Sequence, residues 1–373
     1  MKKLIIYKRS WLLILLPVSL LLVQLAKKSS FFAEEIYAKH IYKWISQIVS
    51  NITGVFPFSL GELIVVLLPL AVLVFLSRFV LKLILDKERR EEILAKGLLN
   101  LGCTLSVILF AFILLGGLNY YRYSFSVYSN LEVLESTVEE LYALTEGLML
   151  DANGLRSPNA QQPLLEDEEG VFRLSMNHRE LGREAEKAFE QLAGDYPVLG
   201  GRYGAPKSVL LSKMMSMTEI TGMFFPFTME ANVNVDVPDY SIPVTMLHEL
   251  AHLRGFMRED EANYIAYLAG MKSEHADLKY SATMLALITS GNALYDQSPE
   301  LYFEISGQYS EGVVKDLRAN SRYWQQYEDT VVSTVSSKIN DTYLKVNAQT
   351  DGVKSYGRML DLLLARYRRE QQD

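Results

Sequence analysis

Three long apolar runs before Asn119 constrain the fold of this 373-residue chain more than any other feature. They cover residues 11–26, 58–85 and 98–118, and each approaches or exceeds the roughly 17–25 residues that cross a bilayer core. The sequence therefore predicts three transmembrane helices. For the first run a cleaved signal peptide is the alternative, because four basic residues precede it. Gln24 stands where a cleavage site needs a small residue, which favours an uncleaved anchor.

The charge of the chain divides at Arg122. Up to this residue there are 15 Lys and Arg against 7 Asp and Glu, and beyond it 22 against 37, whereas the whole chain has a net charge of −7. We therefore predict a basic membrane anchor over residues 1–122 and an acidic, soluble domain over residues 123–373. The acidic part has no basic-aromatic stripe, which argues against nucleic acid as a partner. The three apolar runs make the lipid bilayer a predicted partner.

The placement of Lys and Arg predicts the orientation in the membrane. The N-terminal tail and the segment 82–96 carry nine of them, and the opposite side carries five. Since positive loops stay inside, we expect a multi-pass protein of the cell membrane with a cytoplasmic N-terminus and an extracytoplasmic C-terminal domain. In the first outer loop, apolar residues recur at helical spacing from Ile41 to Ile52, which predicts an amphipathic helix in the interface.

The acidic half has mostly helical periodicity. Helical spacing predicts helices over residues 131–150 and 179–192, an exposed loop over 151–170, and helices from Ser241 almost to the end. Strict alternation from Met223 to Val235 predicts one strand with a buried face, and Pro226 places that strand at a sheet edge. The apolar run 280–295 contains several Ser, Thr and Asn residues, so we predict a buried helix and not a fourth span.

His248-Glu249-Leu250-Ala251-His252 is the segment of the sequence that carries chemistry. Histidines four residues apart on a helix project from one face and can hold one metal ion, while Glu249 beside them can act as a general base. The chain has a single cysteine, Cys103, so a thiolate cluster is excluded and His and carboxylate must supply the ligands. Without a metal, the alternative is a buried helix with two hydrogen-bonded histidines.

A catalytic zinc site needs a third protein ligand. A metzincin would place a histidine at position 258, which holds Arg258. After a turn at Gly255, the next helix opens with three acidic residues, and helical phase puts Glu261 on the inward face. Glu261 is therefore the predicted third ligand, and we interpret Glu259 and Asp260 as acids that complement the helix N-terminus.

The motif, followed by a glutamate in the first turn of the next helix, resembles the gluzincin type of zinc metallopeptidase. More closely, the chain resembles an uncharacterised bacterial family of multi-span membrane proteins, a domain of unknown function with a zincin-like region. The resemblance is carried by residues 117–122 (GLNYYR), 221–232, 248–256, 259–269 and 355–359 (SYGRM), and covers most of the chain. It implies a mainly α protein in which three transmembrane helices precede a zincin-like α+β domain with a small sheet and an HExxH active-site helix.

The resemblance also implies a role for the alternating strand. In zincins, an edge strand upstream of the metal helix pairs with an extended peptide substrate. Asn232 and Asn234 would then face the cleft and bind substrate. A core strand with a polar outer face is the alternative.

These features predict a membrane-anchored zinc metallopeptidase that hydrolyses peptide bonds of a peptide or protein substrate. In this hypothesis, Zn²⁺ is held by His248, His252 and Glu261 and activates a water molecule, and Glu249 takes its proton. A non-catalytic membrane-anchored scaffold or receptor with a zincin-derived fold is the alternative function.

A further hydrogen-bond donor should stabilise the oxyanion. His178, His275, Tyr343 and Tyr356 are the candidates. Tyr356 is taken as the second catalytic residue because of its glycine-flanked setting at 352–357, and a core tyrosine is the alternative.

Overall fold

The computed structural model describes residues 8–347 and 358–372, and within these ranges the chain is mainly helical with small sheets, as the sequence predicts. The α-helices are α1 (Leu15–Lys28), α2 (Lys43–Gly54), α3 (Leu60–Leu85), α4 (Arg90–Leu115), α5 (Phe125–Ser129), α6 (Val138–Leu155), α7 (His178–Leu192), α8 (Ser212–Met217), α9 (Ser241–Leu253), α10 (Glu259–Lys272), α11 (Ala276–Gln297), α12 (Pro299–Ser306), α13 (Glu311–Gln325), α14 (Val331–Val346) and α15 (Met359–Glu370). The strands are β1 (Leu165–Glu166), β2 (Phe172–Arg173), β3 (Lys207–Ser208), β4 (Gly222–Phe225) and β5 (Glu230–Val233). A π-helical segment, Phe32–Tyr42, precedes α2.

Three helical stretches of the described chain are long and apolar enough to cross a membrane: Ser10–Lys28, Leu60–Leu85 and Lys87–Leu115. The three predicted apolar helices are thus confirmed. The third lies closer to the N-terminus than predicted, because residues 117–121 form a buried 3-10 turn instead of continuing it. The predicted buried helix at 280–295 belongs to α11, which packs against α6, α9 and α10.

One end of each apolar helix meets the C-terminal part of the chain or its connecting turn. The ammonium of Lys27, at the end of α1, lies 6.0 Å from the ring centroid of Tyr121. A Cβ built at Gly61, in the first turn of α3, would touch the ring of Phe225, and one at Gly116, just after α4, would lie 3.6 Å from Cβ of Pro226. The α3–α4 turn therefore lies on the opposite side.

Two carboxylates join α3 to the small sheet. Glu230 of β5 accepts hydrogen bonds from the N–H groups of Leu60 and Gly61, at 3.1 and 2.7 Å, so it caps α3 where the helix dipole favours an anion. In return, Glu62 of α3 accepts hydrogen bonds from the N–H groups of Leu210 and Leu211, just before α8. These reciprocal contacts fix the sheet relative to the second apolar helix.

The first loop packs into the C-terminal part of the chain. Glu34 and Arg122 form a buried, bidentate ion pair with N–O distances of 2.7 and 3.0 Å, and Arg122 also donates to the carbonyl of Arg254. The hydroxyl of Tyr42 donates to the carbonyls of His252 and Leu253. The C-terminal end of α9 is thus hydrogen-bonded by side chains from the first loop and from the segment that follows α4.

The outer face of the first loop is apolar and exposed. In the π-helical segment, residues five apart share a face, and in α2 residues three or four apart do so. A continuous stripe results, and its members are Phe31, Ile36, Ile41, Trp44, Ile48 and Ile52. The helix predicted in this loop is present with its apolar side outward, and its position in the membrane interface stays a prediction.

The strand predicted over 223–235 is instead a hairpin. β4 and β5 are antiparallel and are joined by residues 226–229, so Pro226 lies in the turn. Phe225 pairs with Glu230, and this register brings odd-numbered residues of β4 opposite even-numbered residues of β5. Odd-numbered residues of β4 and even-numbered residues of β5 therefore point to the same face of the sheet. An alternating sequence pattern does not show this change, because it continues unbroken through the four-residue turn. The sheet order is β3-β5-β4, so β4 is an edge strand and β5 is central.

Two helical boundaries also differ from the prediction. α6 begins at Val138 and not near residue 131, because Thr137 and Glu140 form a capping box there. It continues to Leu155 into the predicted loop, and that loop also contains β1. α7 matches the predicted helix at 179–192 closely, with Asn177 as its N-cap.

We predict that Arg122→Met lowers the stability of the full-length protein by about 3–5 kcal/mol, because Glu34 would remain buried and unpaired. The thermal unfolding midpoint in detergent measures this loss. Lys39→Met is the matched control, since it removes a cation of the same loop that pairs with Glu35 on the surface, a pair worth about 0–1 kcal/mol. Equal shifts for the two variants would contradict the structural role of the buried pair.

Candidate functional site

The end of α9 is defined by a Schellman motif. The N–H of Gly255 donates to the carbonyl of His252 at 2.8 Å, and the N–H of Phe256 donates to that of Ala251 at 3.1 Å. Gly255 has a φ of +87°, a conformation that favours glycine. The chain reverses here, as the sequence predicts, and α10 returns along α9.

The two motif histidines lie together on α9 with their Nε2 atoms directed to one point. Their ring centroids are 4.5 Å apart. Nδ1 of His248 lies 2.7 Å from Oδ1 of Asn263, and Nδ1 of His252 lies 2.7 Å from the carbonyl oxygen of Phe256. Both acceptors favour a proton on Nδ1, so in the neutral form of each ring Nε2 is the electron-pair donor, the tautomer that metal ligation requires.

Glu259, and not Glu261, completes this cluster. Its carboxylate oxygens lie 3.1 Å from Nε2 of His248 and 3.6 Å from Nε2 of His252. One donor atom from each of these three residues lies within 4.8 Å of the others, so they could hold a metal ion. Glu261 points elsewhere: it accepts a hydrogen bond from the N–H of Phe125 and pairs with Arg258. The structure thus places Glu259, and not the predicted Glu261, next to the two histidines.

Helical periodicity in α10 does not predict which glutamate faces α9, because this helix is buried on most sides. It packs against α7, α9, α11 and α15, so hydrophobic spacing does not identify the face that meets α9. The face is marked instead by two polar residues at i and i+4, Glu259 and Asn263, beside the small residues Ala262 and Ala266. This pattern is visible in the sequence, but an acid in a first helical turn also complements the helix N-terminus, so the pattern alone does not favour Glu259 over Glu261.

The electrostatics of the cluster favour positive charge between the imidazoles. Burial opposes the charged form of His252, but the Glu259 carboxylate outweighs it and raises the pKa of His252 to about 9. Burial alone would raise the pKa of Glu259, whereas His252 and His248 hold it well below its ordinary value. A buried anion beside two imidazole donors is an environment that stabilises a bound cation.

Glu249 lies beside the cluster as a buried carboxylate. Burial raises its pKa, and the N–H of Phe224 in β4 hydrogen-bonds to it. Its Oε2 has no hydrogen-bond partner among the residues that the structure describes. Gly222 approaches so closely that a Cβ there would overlap the Glu249 carboxylate and lie 2.8 Å from a methyl group of Thr245. The edge strand therefore runs directly past the predicted general base.

The two asparagines predicted to bind substrate are buried in the central strand or just after it. The amide of Asn232 donates to the carbonyls of Met223 and Glu230. The amide of Asn234 donates to the Ser216 hydroxyl and the Ile220 carbonyl. The hairpin makes β4 the edge strand and β5 a central strand. Because Asn232 lies in β5 and Asn234 just after it, neither asparagine lies at the free edge of β4.

Of the candidates for the oxyanion donor, the structure brings Tyr343 towards the cluster. Its hydroxyl lies 3.2 Å from that of Tyr120, and its pKa is raised by burial and further by the Glu259 carboxylate. His178 is the first residue of α7, where burial lowers its pKa, and His275 is the N-cap residue of α11. Tyr356 lies outside the described residues.

The donor set fits a zinc ion. Two imidazole nitrogens and a carboxylate are ligands that zinc takes in catalytic sites, with one position left open. The unpartnered oxygen of Glu249 is buried beside the two histidines, as a group that receives a proton would be. No thiolate takes part, since Cys103 lies within α4.

Comparison with known proteins gives one family match. A family model described as "Protein of unknown function (DUF3810)" matches residues 37–364. No curated protein and no solved structure matches the chain. The matched range contains α9, α10, the edge strand and the second and third apolar helices.

We predict that Glu259→Gln lowers the affinity for zinc by more than about 100-fold, because it removes the carboxylate that faces both imidazoles. Competition with a chromogenic chelator measures the affinity of the purified full-length protein. Glu261→Gln is the matched control: it should leave zinc affinity nearly unchanged while weakening the contacts with Phe125 and Arg258. A larger loss of zinc affinity for Glu261→Gln than for Glu259→Gln would instead support Glu261 as the third ligand.

Proposed function

The chain belongs to the family described as protein of unknown function (DUF3810), and we propose that it is a membrane-anchored zinc metallopeptidase that hydrolyses peptide bonds. The observation that carries the proposal is the convergence of His248, His252 and Glu259, with the unpartnered carboxylate of Glu249 beside them. The expected cofactor is Zn²⁺, held by the two imidazoles and by Glu259. The family description itself assigns no activity.

The residues around the cluster keep the ligands in place. Asn263 and the carbonyl of Phe256 orient the imidazoles, and such outer contacts usually change metal affinity by about 10–100-fold when removed. When bound, zinc would supply a Lewis acid that polarises a water molecule and the scissile carbonyl. Tyr42 and Arg122 hold the end of α9 by its carbonyl groups, so the histidines sit on a helix fixed at its C-terminus.

Glu249 has the properties of the general base. Burial raises the pKa of its carboxyl above the ordinary value, which makes the carboxylate a better proton acceptor than an exposed one. Its free Oε2 would accept a proton from the attacking water and pass it to the leaving amine. The Tyr343 hydroxyl is the described candidate for the donor that stabilises the oxyanion, replacing Tyr356 in this proposal.

The free edge of β4 supplies a place for an extended substrate. An edge strand carries unpaired backbone groups that can add one further strand. Because Gly222 lies against Glu249, a peptide paired with β4 would pass the general base and the cluster. The substrate-binding role assigned to Asn232 and Asn234 therefore passes to the backbone of β4.

The orientation in the membrane is part of the proposal. The α3–α4 turn lies on the side opposite the site, and the N-terminal tail and this turn together carry most of the flanking Lys and Arg of the sequence. By the positive-inside rule, they would be cytoplasmic and the site extracytoplasmic.

We predict that Glu249→Gln retains zinc at unchanged stoichiometry but lowers peptide cleavage by at least about 100-fold, because the proton acceptor is lost. Metal analysis and a quenched fluorescent peptide library, both applied to the full-length protein in detergent, measure the two properties. Cleavage that persists in the variant contradicts the role of Glu249. Zinc-loaded wild-type protein that cleaves no peptide supports the scaffold or receptor instead.

A further inference from the structure

The free edge of β4 runs from the candidate metal site to the ends of two apolar helices. At one end, Gly222 lies against the Glu249 carboxylate, and at the other the Phe225 ring packs on Gly61 in the first turn of α3. Pro226 follows Phe225 and packs next to Gly116, the residue after α4. Four residues of extended chain span about 10 Å. The site therefore lies only about that far from the ends of α3 and α4.

The surface around this end of β4 is apolar. Met223 in β4 is 40% exposed, and Phe227 in the hairpin turn is 38% exposed. Exposed apolar groups along an edge strand and its turn indicate a surface that another apolar body covers.

The first turns of α3 are open on the face that carries Gly61. Val65 and Leu68, four and seven residues further on, lie on that face and are exposed, and no residue from Glu62 to Leu85 is buried. A second transmembrane helix could therefore lie along α3 without displacing any part of the described chain. Its extended continuation would leave the bilayer beside Phe225 and meet the free edge of β4.

Resting on the proposed function, we infer that the substrate is a membrane-inserted polypeptide. Its transmembrane segment lies along α3, and the extended segment next to it pairs with β4. The cleaved bond is then about three to six residues from the end of the span, since β4 allows only about 10 Å between Phe225 and the general base.

The physical reason for this substrate class is the apolar end of the groove. A soluble peptide that covered all of β4 would have to continue into the apolar surface around Phe227, where its backbone would lose water without gaining partners. A polypeptide already inserted in the bilayer avoids that cost, because its span satisfies its own backbone hydrogen bonds. Insertion in the same bilayer also raises its effective concentration at the site.

Photo-crosslinking tests the inference without requiring turnover. The full-length Glu249→Gln protein, with p-benzoylphenylalanine in place of Met223, is reconstituted in phosphatidylcholine vesicles. The probes are a synthetic peptide with a 20-residue Leu/Ala span and an adjoining eight-residue extended segment, the same segment alone, and a version with a long Gly/Ser spacer between span and segment. We expect the first probe to crosslink at least about tenfold more than either of the others.

The controls separate docking from enrichment at the membrane. Phe303, an exposed aromatic residue of α12, carries the crosslinker in the matched control and should give only background. The crosslinker at Phe227 provides a second position if Met223 does not tolerate it. Equal crosslinking of the short-spacer and long-spacer probes, or of the soluble segment, overturns the inference. Zinc content of the same preparation is measured separately, so loss of the proposed function and loss of substrate docking remain distinguishable.

Discussion

The buried ion pair between Glu34 and Arg122 is the interaction on which the arrangement of this protein depends. Each charge costs several kcal/mol to remove from water, and the bidentate contact and the further bond to the Arg254 carbonyl offset this cost. The pair joins the first loop, the segment after α4 and the end of the motif helix at one point. Arg122 also stacks 4.5 Å from the ring centroid of Phe256, whose carbonyl orients His252.

This connection makes the membrane segment and the candidate site parts of one structure. The predicted boundary at Arg122 separates residues by charge, yet Glu34 and Tyr42, before that boundary, hold the end of α9. The reciprocal contacts of Glu62 and Glu230 add a second connection through the sheet. Because the first connection ends at α9 and the second at the sheet whose edge strand passes Glu249, the distance between the site and the apolar helices is fixed by hydrogen bonds and not by a linker.

The sequence predicts the parts of this structure that depend on local pattern. The apolar runs follow from length, the reversal at Gly255 from its tolerance of positive φ, and the shared face of His248 and His252 from helical spacing. The third member of the cluster depends on which face of a buried helix meets α9. That choice is made by packing with four other helices, so periodicity favoured Glu261 where the structure places Glu259.

Similar reasons explain the strand and the asparagines. An alternating pattern continued through the turn at 226–229, and only the pairing of Phe225 with Glu230 shows that the chain folds back. The alternating pattern places Glu230 on the polar face of the strand. In the structure it is buried and caps α3, accepting hydrogen bonds from Gly61 and Leu60, which are 169 and 170 residues away in the chain. Long-range hydrogen bonds of this kind have no local signature, and Asn234 is buried for the same reason.

Zinc K-edge X-ray absorption on the purified full-length protein tests the central claim most directly. We expect about one zinc per chain, with two imidazole nitrogens at about 2.0–2.1 Å and carboxylate oxygen at about 2.0–2.2 Å. The same spectrum after Glu259→Gln should keep the imidazole signal of any remaining metal. Protein that retains no zinc, or a zinc shell without imidazole scattering, would contradict the account.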